Sequence, residues 1–218
     1  MGPSPTSQPA ASVATRADPV LDGPAVRAAL ARCRAVIERH AAALTALDQV
    51  LGDGDHGDNL VIGFRAVDAW LAELPADTPP GELLRNVGHR LVAAVGGASG
   101  PLYGTAFLEA GARAGDAARV PLADLPAMLD AAATGLARRG RCAVGDKTIL
   151  DALRPAADAL LATGSWSAAV RAAHDGALAT RPLVARRGLA LRLGERSAGH
   201  LDPGAVSCVH LLRALGGG

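Results

Sequence analysis

The stretch LDGPAVRAALARCRAVIERHAAALTALDQVLGDGDHGDN (Leu21–Asn59) decides how the rest of the chain is read. Within it Val26, Ala29, Leu30, Cys33, Val36, Ile37, Ala41, Leu44 and Leu47 recur mostly at steps of three and four. That spacing lines them along one face of a long amphipathic helix. Asp22-Gly23-Pro24 marks its start, with Pro24 in the first turn, where a missing N–H breaks no hydrogen bond. The helix is expected to end near Asp48 or Gly52. The chain then crowds Asp53, Asp55, Asp58, His56 and three glycines into Leu51–Asn59.

Working outward, the same period returns again and again. Helices are expected over about 57–74, 82–95, 105–114, 123–139, 148–163, 167–181 and 205–215, separated by Pro- and Gly-rich breaks. Pro75 cannot continue the second of them. GGASGPLYG (Gly96–Gly104), GRCAVGDK (Gly140–Lys147) and GERSAGHLDPG (Gly194–Gly204) are the principal breaks. No convincing strand is expected. Short connections favour antiparallel neighbours, so the fold class is all-α: an antiparallel up-and-down barrel of about eight helices. In such a barrel alternate loops share an end, which collects the loops after helices one, three, five and seven.

Composition agrees. The chain has 218 residues, half of them hydrophobic and only 2% aromatic, so its core must be built from Leu, Val and Ala. A net charge of +1 leaves no basic excess to neutralise a phosphate backbone, which argues against general nucleic-acid binding. Three scattered cysteines, Cys33, Cys142 and Cys208, form no CxxC pair and read as reduced structural thiols of a cytoplasmic protein. No apolar run reaches the roughly 18–20 residues of a membrane span, and the N-terminus lacks a signal-peptide pattern. Residues 1–22 are rich in Pro, Ser and Ala without periodicity, so a disordered leader is expected before a single helical domain over 23–218.

The acidic turn is either a solvated surface feature or a cation site. Asp48 in the last turn of helix one faces the negative end of the helix dipole. Two carboxylates roughly 5 Å apart repel by about 3 kcal/mol at an effective dielectric of about 20. No basic partner stands nearby in sequence. Hard oxygen ligands in this density suit Mg²⁺ or Ca²⁺. The EF-hand pattern fails, with Gly57 at its third acidic position and Phe64 where it needs a glutamate. The following helix opens directly after the turn, and its free amides favour an anion. Carboxylates for metal beside amides for phosphate fit a nucleoside di- or triphosphate, with His56 and Asn59 as donors to its oxygens. GGASGPLYGT matches neither the P-loop nor GxSxG, and its four glycines allow close backbone approach to a ligand or a tight turn. GDKT (Gly145–Thr148) reads as a simple helix start. DPGA (Asp202–Ala205) reads as an N-cap followed by Pro at the first helical position.

Four stretches taken together, LDQVLGDGDHGDN, GGASGPLYGT, GDKTILDAL and LGERSAGHLDPGA, resemble the nucleotide-binding L subunits of dihydroxyacetone kinases (DhaL-like). The resemblance runs from about residue 25 to the end. It implies an eight-helix barrel with ADP or ATP bound in the loops at one end. It implies two Mg²⁺ ions on Asp48, Asp53 and Asp55, and phosphate contacts from His56, Gly57, Asp58 and Asn59. Ala98 and Ser99 would cap the nucleotide, Gly140 and Ile149 would line the adenine side, and Asp202, Pro203 and Gly204 would close the site.

The resemblance also implies a phosphotransferase active only with a separate K subunit, which holds dihydroxyacetone covalently on its own histidine. ADP would stay bound and be recharged by a protein of the phosphoenolpyruvate phosphotransferase system. The alternatives are exchange of free ATP, with dihydroxyacetone or a related small ketose as substrate, and a non-catalytic nucleotide-binding regulator. Two positions depart from the family pattern: Leu189 stands where an arginine is usual, and Asp58 adds an acid. Arg186, Arg187 and Arg192 are the candidates to replace the arginine.

Overall fold

The computed structural model describes residues 19–217. Its order is β1 (Val20–Asp22), α1 (Gly23–Leu51), α2 (His56–Leu71), α3 (Pro80–Ala94), α4 (Ser99–Ala114), β2 (Arg119–Pro121), α5 (Leu125–Gly140), α6 (Leu150–Thr163), α7 (Trp166–Ala179) and α8 (Pro203–Gly216). Two 3-10 segments, Leu122–Asp124 and Leu189–Ser197, complete it. Each helix packs on the next, and α8 returns to pack on α1, so the eight helices close into a barrel. This is the expected all-α architecture.

Local chemistry accounts for the helix ends. The Asp22 carboxylate accepts the Ala25 amide at 2.9 Å and Asp202 accepts the Ala205 amide at 2.7 Å, each followed closely by proline. The α1 face predicted from its spacing is the buried one: Val26, Leu30, Cys33, Ile37 and Leu44 are all at most 3% exposed. Burial pushes the Cys33 and Cys208 thiols up to about 12, which keeps them inert at neutral pH. No described helix is long and apolar enough to cross a membrane.

Three expectations need correction. The leader was drawn through residue 22, but Val20–Asp22 form a strand antiparallel to Arg119–Pro121. Three residues on each side are too short to show alternation, so only the pairing reveals them. Residues 1–18 of the expected leader lie outside the described residues. The glycine stretch was drawn as a loop to Gly104, yet α4 begins at Ser99. Gly100 and Gly104 are therefore helical, and their glycines serve packing rather than a ligand. A Cβ on Gly88 of α3 would lie 2.6 Å from the Gly104 carbonyl oxygen, and one on Gly104 would lie 2.7 Å from that of Gly88. The two helices cross backbone against backbone. Finally, α6 starts at Leu150 and continues through Pro155; Gly176 of α7 packs directly against the Asp151 carbonyl that the missing proline N–H leaves without its helical donor.

Gly88→Ala is expected to lower stability by about 1–3 kcal/mol through overpacking at this crossing. Urea unfolding followed by circular dichroism measures it, with native helix content unchanged before the transition.

Candidate functional site

Four loops meet at one end of the barrel, those after α1, α3, α5 and α7, as the alternation of an up-and-down chain requires. They enclose a cavity of about 340 Å³. Its walls include Asp48, Asp53, Asp55, His56, Ala98, Ser99, Gly140, Ile149, Asp202, Pro203 and Gly204. Eleven predicted site residues, far apart in sequence, are thus brought together.

Asp48 organises the acidic wall. It is 8% exposed in the last turn of α1, and its Oδ2 accepts three backbone amides: Gly54 at 3.0 Å, Asp55 at 3.0 Å and His56 at 3.2 Å. Those bonds offset the unfavourable helix dipole and curl the turn into α2. Carboxylate oxygens of Asp48, Asp53 and Asp55 all lie within 4.8 Å of one another. Partial burial raises the Asp55 carboxyl above its ordinary range, a bond from Asn59 opposes the shift, and the neighbouring Asp53 adds to it. An oxygen-only set of crowded carboxylates, two of them exposed, fits a hard divalent cation.

His56, Gly57, Asp58 and Asn59 separate in role. The His56 ring is 6% exposed, with Nδ1 2.9 Å from Ser99 Oγ and Nε2 2.9 Å from Ser207 Oγ. Burial lowers its pKa, against the pull of Asp48. Both ring nitrogens are taken by serines, so the expected donation from the ring straight to phosphate is corrected. Gly57, Asp58 and Asn59 do not line the cavity. A side chain on Gly57 would run into the Ala41 carbonyl of α1, so this glycine lets the two helices touch. Asp58 is exposed in the first turn of α2, where negative charge suits the helix end. The Asn59 side chain lies beside Gly96 and bonds Asp55. The amides of Gly57 and Asp58, in the first turn of α2, have no acceptor within the helix.

GDKT (Gly145–Thr148), expected to be a simple helix start, belongs to a turn over residues 141–149 that does more than that. Asp151 accepts the Gly145 and Thr148 amides, both at 2.6 Å. Lys147, a non-glycine residue at φ 63°, is 1% exposed and lies on the cavity wall. Its Nζ donates to the carbonyls of Thr180 at 2.7 Å and His200 at 2.5 Å. Asp146 accepts the Ala143 amide at 3.0 Å and pairs with Arg187 Nε at 3.4 Å. One turn thereby ties the end of α7 and the long 180–202 loop to α6. Desolvation pushes the Asp202 carboxyl up to about 7, while the Ala205 amide and Lys147 pull it down.

The rest of the wall carries cationic and apolar side chains. Arg139, Arg187, Pro101, Leu102 and Leu189 line it. Of the three arginines named as replacements at the Leu189 position, only Arg187 reaches the cavity; Arg186 and Arg192 do not line it. Arg139, Lys147, Tyr103 and Thr148 were missed, because each looks like an ordinary helix or turn residue until the loops converge. The arrangement offers carboxylates for a cation, cations and amides for an anion, and apolar side chains for a flat group.

Lys147→Met is expected to reduce stability by about 2–4 kcal/mol, because two buried carbonyls lose their charged donor. Chemical denaturation checks this against Arg192→Met, which leaves the cavity wall untouched.

Comparison with known proteins follows the same lines. Residues 50–217 match the DAK2 domain. The ADP-binding subunit DhaL of a PEP-dependent dihydroxyacetone kinase from Listeria innocua is 43% identical over 189 residues, covering 83% of this chain and 88% of that protein. The corresponding DhaL subunit of Escherichia coli is 37% identical over 194 residues, covering 85% and 92%. The crystal structure of the dihydroxyacetone kinase from C. freundii in complex with AMP-PNP and Mg²⁺ superposes with a TM-score of 0.70 at 28% identity. That match covers 98% of this chain, which spans 37% of the length of that kinase. The chain therefore belongs to the DAK2 domain family, among its DhaL-like members.

Proposed function

We propose that this chain is the ADP-binding subunit of a dihydroxyacetone kinase, working with a partner that carries the substrate. The observation that carries the reading is the set of three carboxylates, with oxygens within 4.8 Å, on the wall of a cavity built by all four loops of one barrel end. The DhaL relatives, matched over most of their length and named as ADP-binding subunits of PEP-dependent kinases, support it. So does the structural neighbour that holds AMP-PNP and Mg²⁺.

In this reading Asp48, Asp53 and Asp55 hold Mg²⁺, two ions by the family resemblance. When bound, the metal neutralises phosphate charge and aligns the transferred group. The chain's own residues do the rest. The N-terminal end of α2, where the amides of Gly57 and Asp58 are free, favours the phosphate charge from behind the wall, with Asn59 holding Asp55 in place. Ala98 and Ser99 cover the nucleotide from the start of α4. Gly140 and Ile149 leave an apolar slot for the base, and Asp202, Pro203 and Gly204 close the floor at the N-terminus of α8. Arg139 and Arg187 supply the positive charge that Leu189 does not. Residues 23–218 form this nucleotide-binding unit.

Lys147 Nζ and both ring nitrogens of His56 are taken up by hydrogen bonds, and burial pushes the Cys142 thiol up, so none of these wall groups is poised as a covalent anchor for a small ketone, which supports a separate K subunit as its holder. The PEP dependence named for the relatives supports a phosphotransferase-system protein as donor and ADP as a resident cofactor. Such a subunit works in the cytoplasm. Leu189 favours the second reading, a nucleotide-binding regulator; the two arginines on the wall weigh against it.

Protein purified with Mg²⁺ throughout is expected to release stoichiometric ADP on denaturation, identified by mass. An empty site that also fails to take up ADP or ATP sinks the proposal. Asp53→Ala and Asp55→Ala are each expected to abolish Mg²⁺-dependent nucleotide binding with helix content intact, measured by calorimetry and circular dichroism. The pure chain should not phosphorylate dihydroxyacetone alone, and robust turnover by it refutes the two-subunit reading.

A further inference from the structure

Behind the nucleotide cavity lies a file of four hydroxyl and imidazole groups. Tyr103 Oη is 2.6 Å from Ser207 Oγ, Ser207 Oγ is 2.9 Å from His56 Nε2, and His56 Nδ1 is 2.9 Å from Ser99 Oγ. Tyr103, Ser207 and His56 are 5%, 0% and 6% exposed. Ser99 stands at the open end, on the cavity wall. The file leaves α4 at Tyr103, crosses α8 and α2, and returns to α4 at Ser99 one turn earlier.

Counting protons leaves two arrangements for a neutral ring. Each hydroxyl has one proton to give, and the ring has one N–H. In the first, Ser207 gives its proton to the Gly204 carbonyl, 3.0 Å away, or to Tyr103 Oη, whose own proton then goes to that carbonyl at 3.3 Å. The ring N–H then sits on Nε2, Ser99 must donate into Nδ1, and Ser99 turns only lone pairs toward the cavity. In the second, Ser207 donates to Nε2. The ring N–H then sits on Nδ1 and points at Ser99, whose own proton is left for the cavity. In the second, Ser207 has spent its proton on the ring, so Tyr103 donates to Ser207, and burial keeps its phenol protonated. Lone pairs facing a phosphate repel it, whereas a hydroxyl proton attracts it. A bound anion therefore stabilises the second arrangement over the first by differential interaction.

We propose that His56 is a positioning residue: with nucleotide bound it is the neutral Nδ1–H tautomer, and the relay Tyr103→Ser207→His56→Ser99 leaves the Ser99 hydroxyl proton aimed at an anionic oxygen. This rests on the nucleotide reading above. It replaces direct contact of the ring with phosphate by an indirect role. It also gives Ser207, which does not itself line the cavity, a share in binding.

The test is on the full chain with ¹⁵N-labelled histidine, recorded with and without Mg·ADP, with the His56 signals assigned by their loss in His56→Asn. The bound state is expected to show the Nδ1–H tautomer. Ser99→Ala and Ser207→Ala are each expected to weaken Mg·ADP binding by about fivefold to tenfold. The double variant should bind no more weakly than the weaker single one, since both cut the same relay. An Nε2–H or doubly protonated ring in the bound state overturns the relay. So does wild-type affinity in Ser207→Ala, or losses that multiply in the double variant. A wild-type chain that binds no Mg·ADP overturns the nucleotide reading, and the relay with it; binding with the wrong tautomer overturns the relay alone.

Discussion

Asp48 sits where a helix dipole disfavours negative charge, and three amides of the following segment hold its carboxylate there. That bond set does two jobs. It turns the chain sharply from α1 into α2, and it brings Asp53 and Asp55 back over the helix end so that three carboxylates face one point. Using Oδ2 for the amides leaves Oδ1 outside those bonds, so folding the turn and holding a cation do not compete for the same oxygen. A turn made instead by glycine flexibility would scatter the acids, because mutual repulsion would drive them apart. The functional end of the barrel depends on this compensation being local and backbone-made.

The remaining loops are held by a similar device with the charges reversed. Lys147 is a buried cation facing two carbonyls that end other segments, and Asp151 and Asp146 gather amides of the same turn. Buried charge is stable here because each charged group is met by backbone partners. The result is a cup whose wall carries both acids and arginines. Charges of both signs on so small a cavity favour a ligand that is itself a cation bound to an anion. A metal–phosphate unit meets that condition, and neither a bare cation nor a bare anion does.

The barrel beneath uses small residues for economy of space. Ala152, Ala156, Ala157, Ala169 and Ala173 are all fully buried along α6 and α7, and α3 meets α4 glycine to glycine. Close crossings of this kind gain dispersion energy across many atoms without large side chains. They also explain how a chain with 2% aromatic residues builds a sound core. They misled the reading of the glycine stretch, since a glycine needed for packing and one needed for a ligand look alike in one dimension.

The periodicity of apolar residues and the Asp-Gly-Pro and Asp-Pro-Gly caps determined the helices, their order and the barrel, because these are local properties of 3.6-residue spacing and of amides that need an acceptor. The cluster of aspartates in nine residues and the alternation of an up-and-down chain likewise determined where the candidate site lies and that its carboxylates suit a cation. Only the tertiary structure decided which polar groups meet. His56 between Ser99 and Ser207, Lys147 under Thr180 and His200, and Arg187 rather than Arg186 or Arg192 at the wall depend on loops 33 to 151 residues apart in sequence. No local pattern encodes such pairings, since each is selected by the burial of a polar group that only the closed barrel creates.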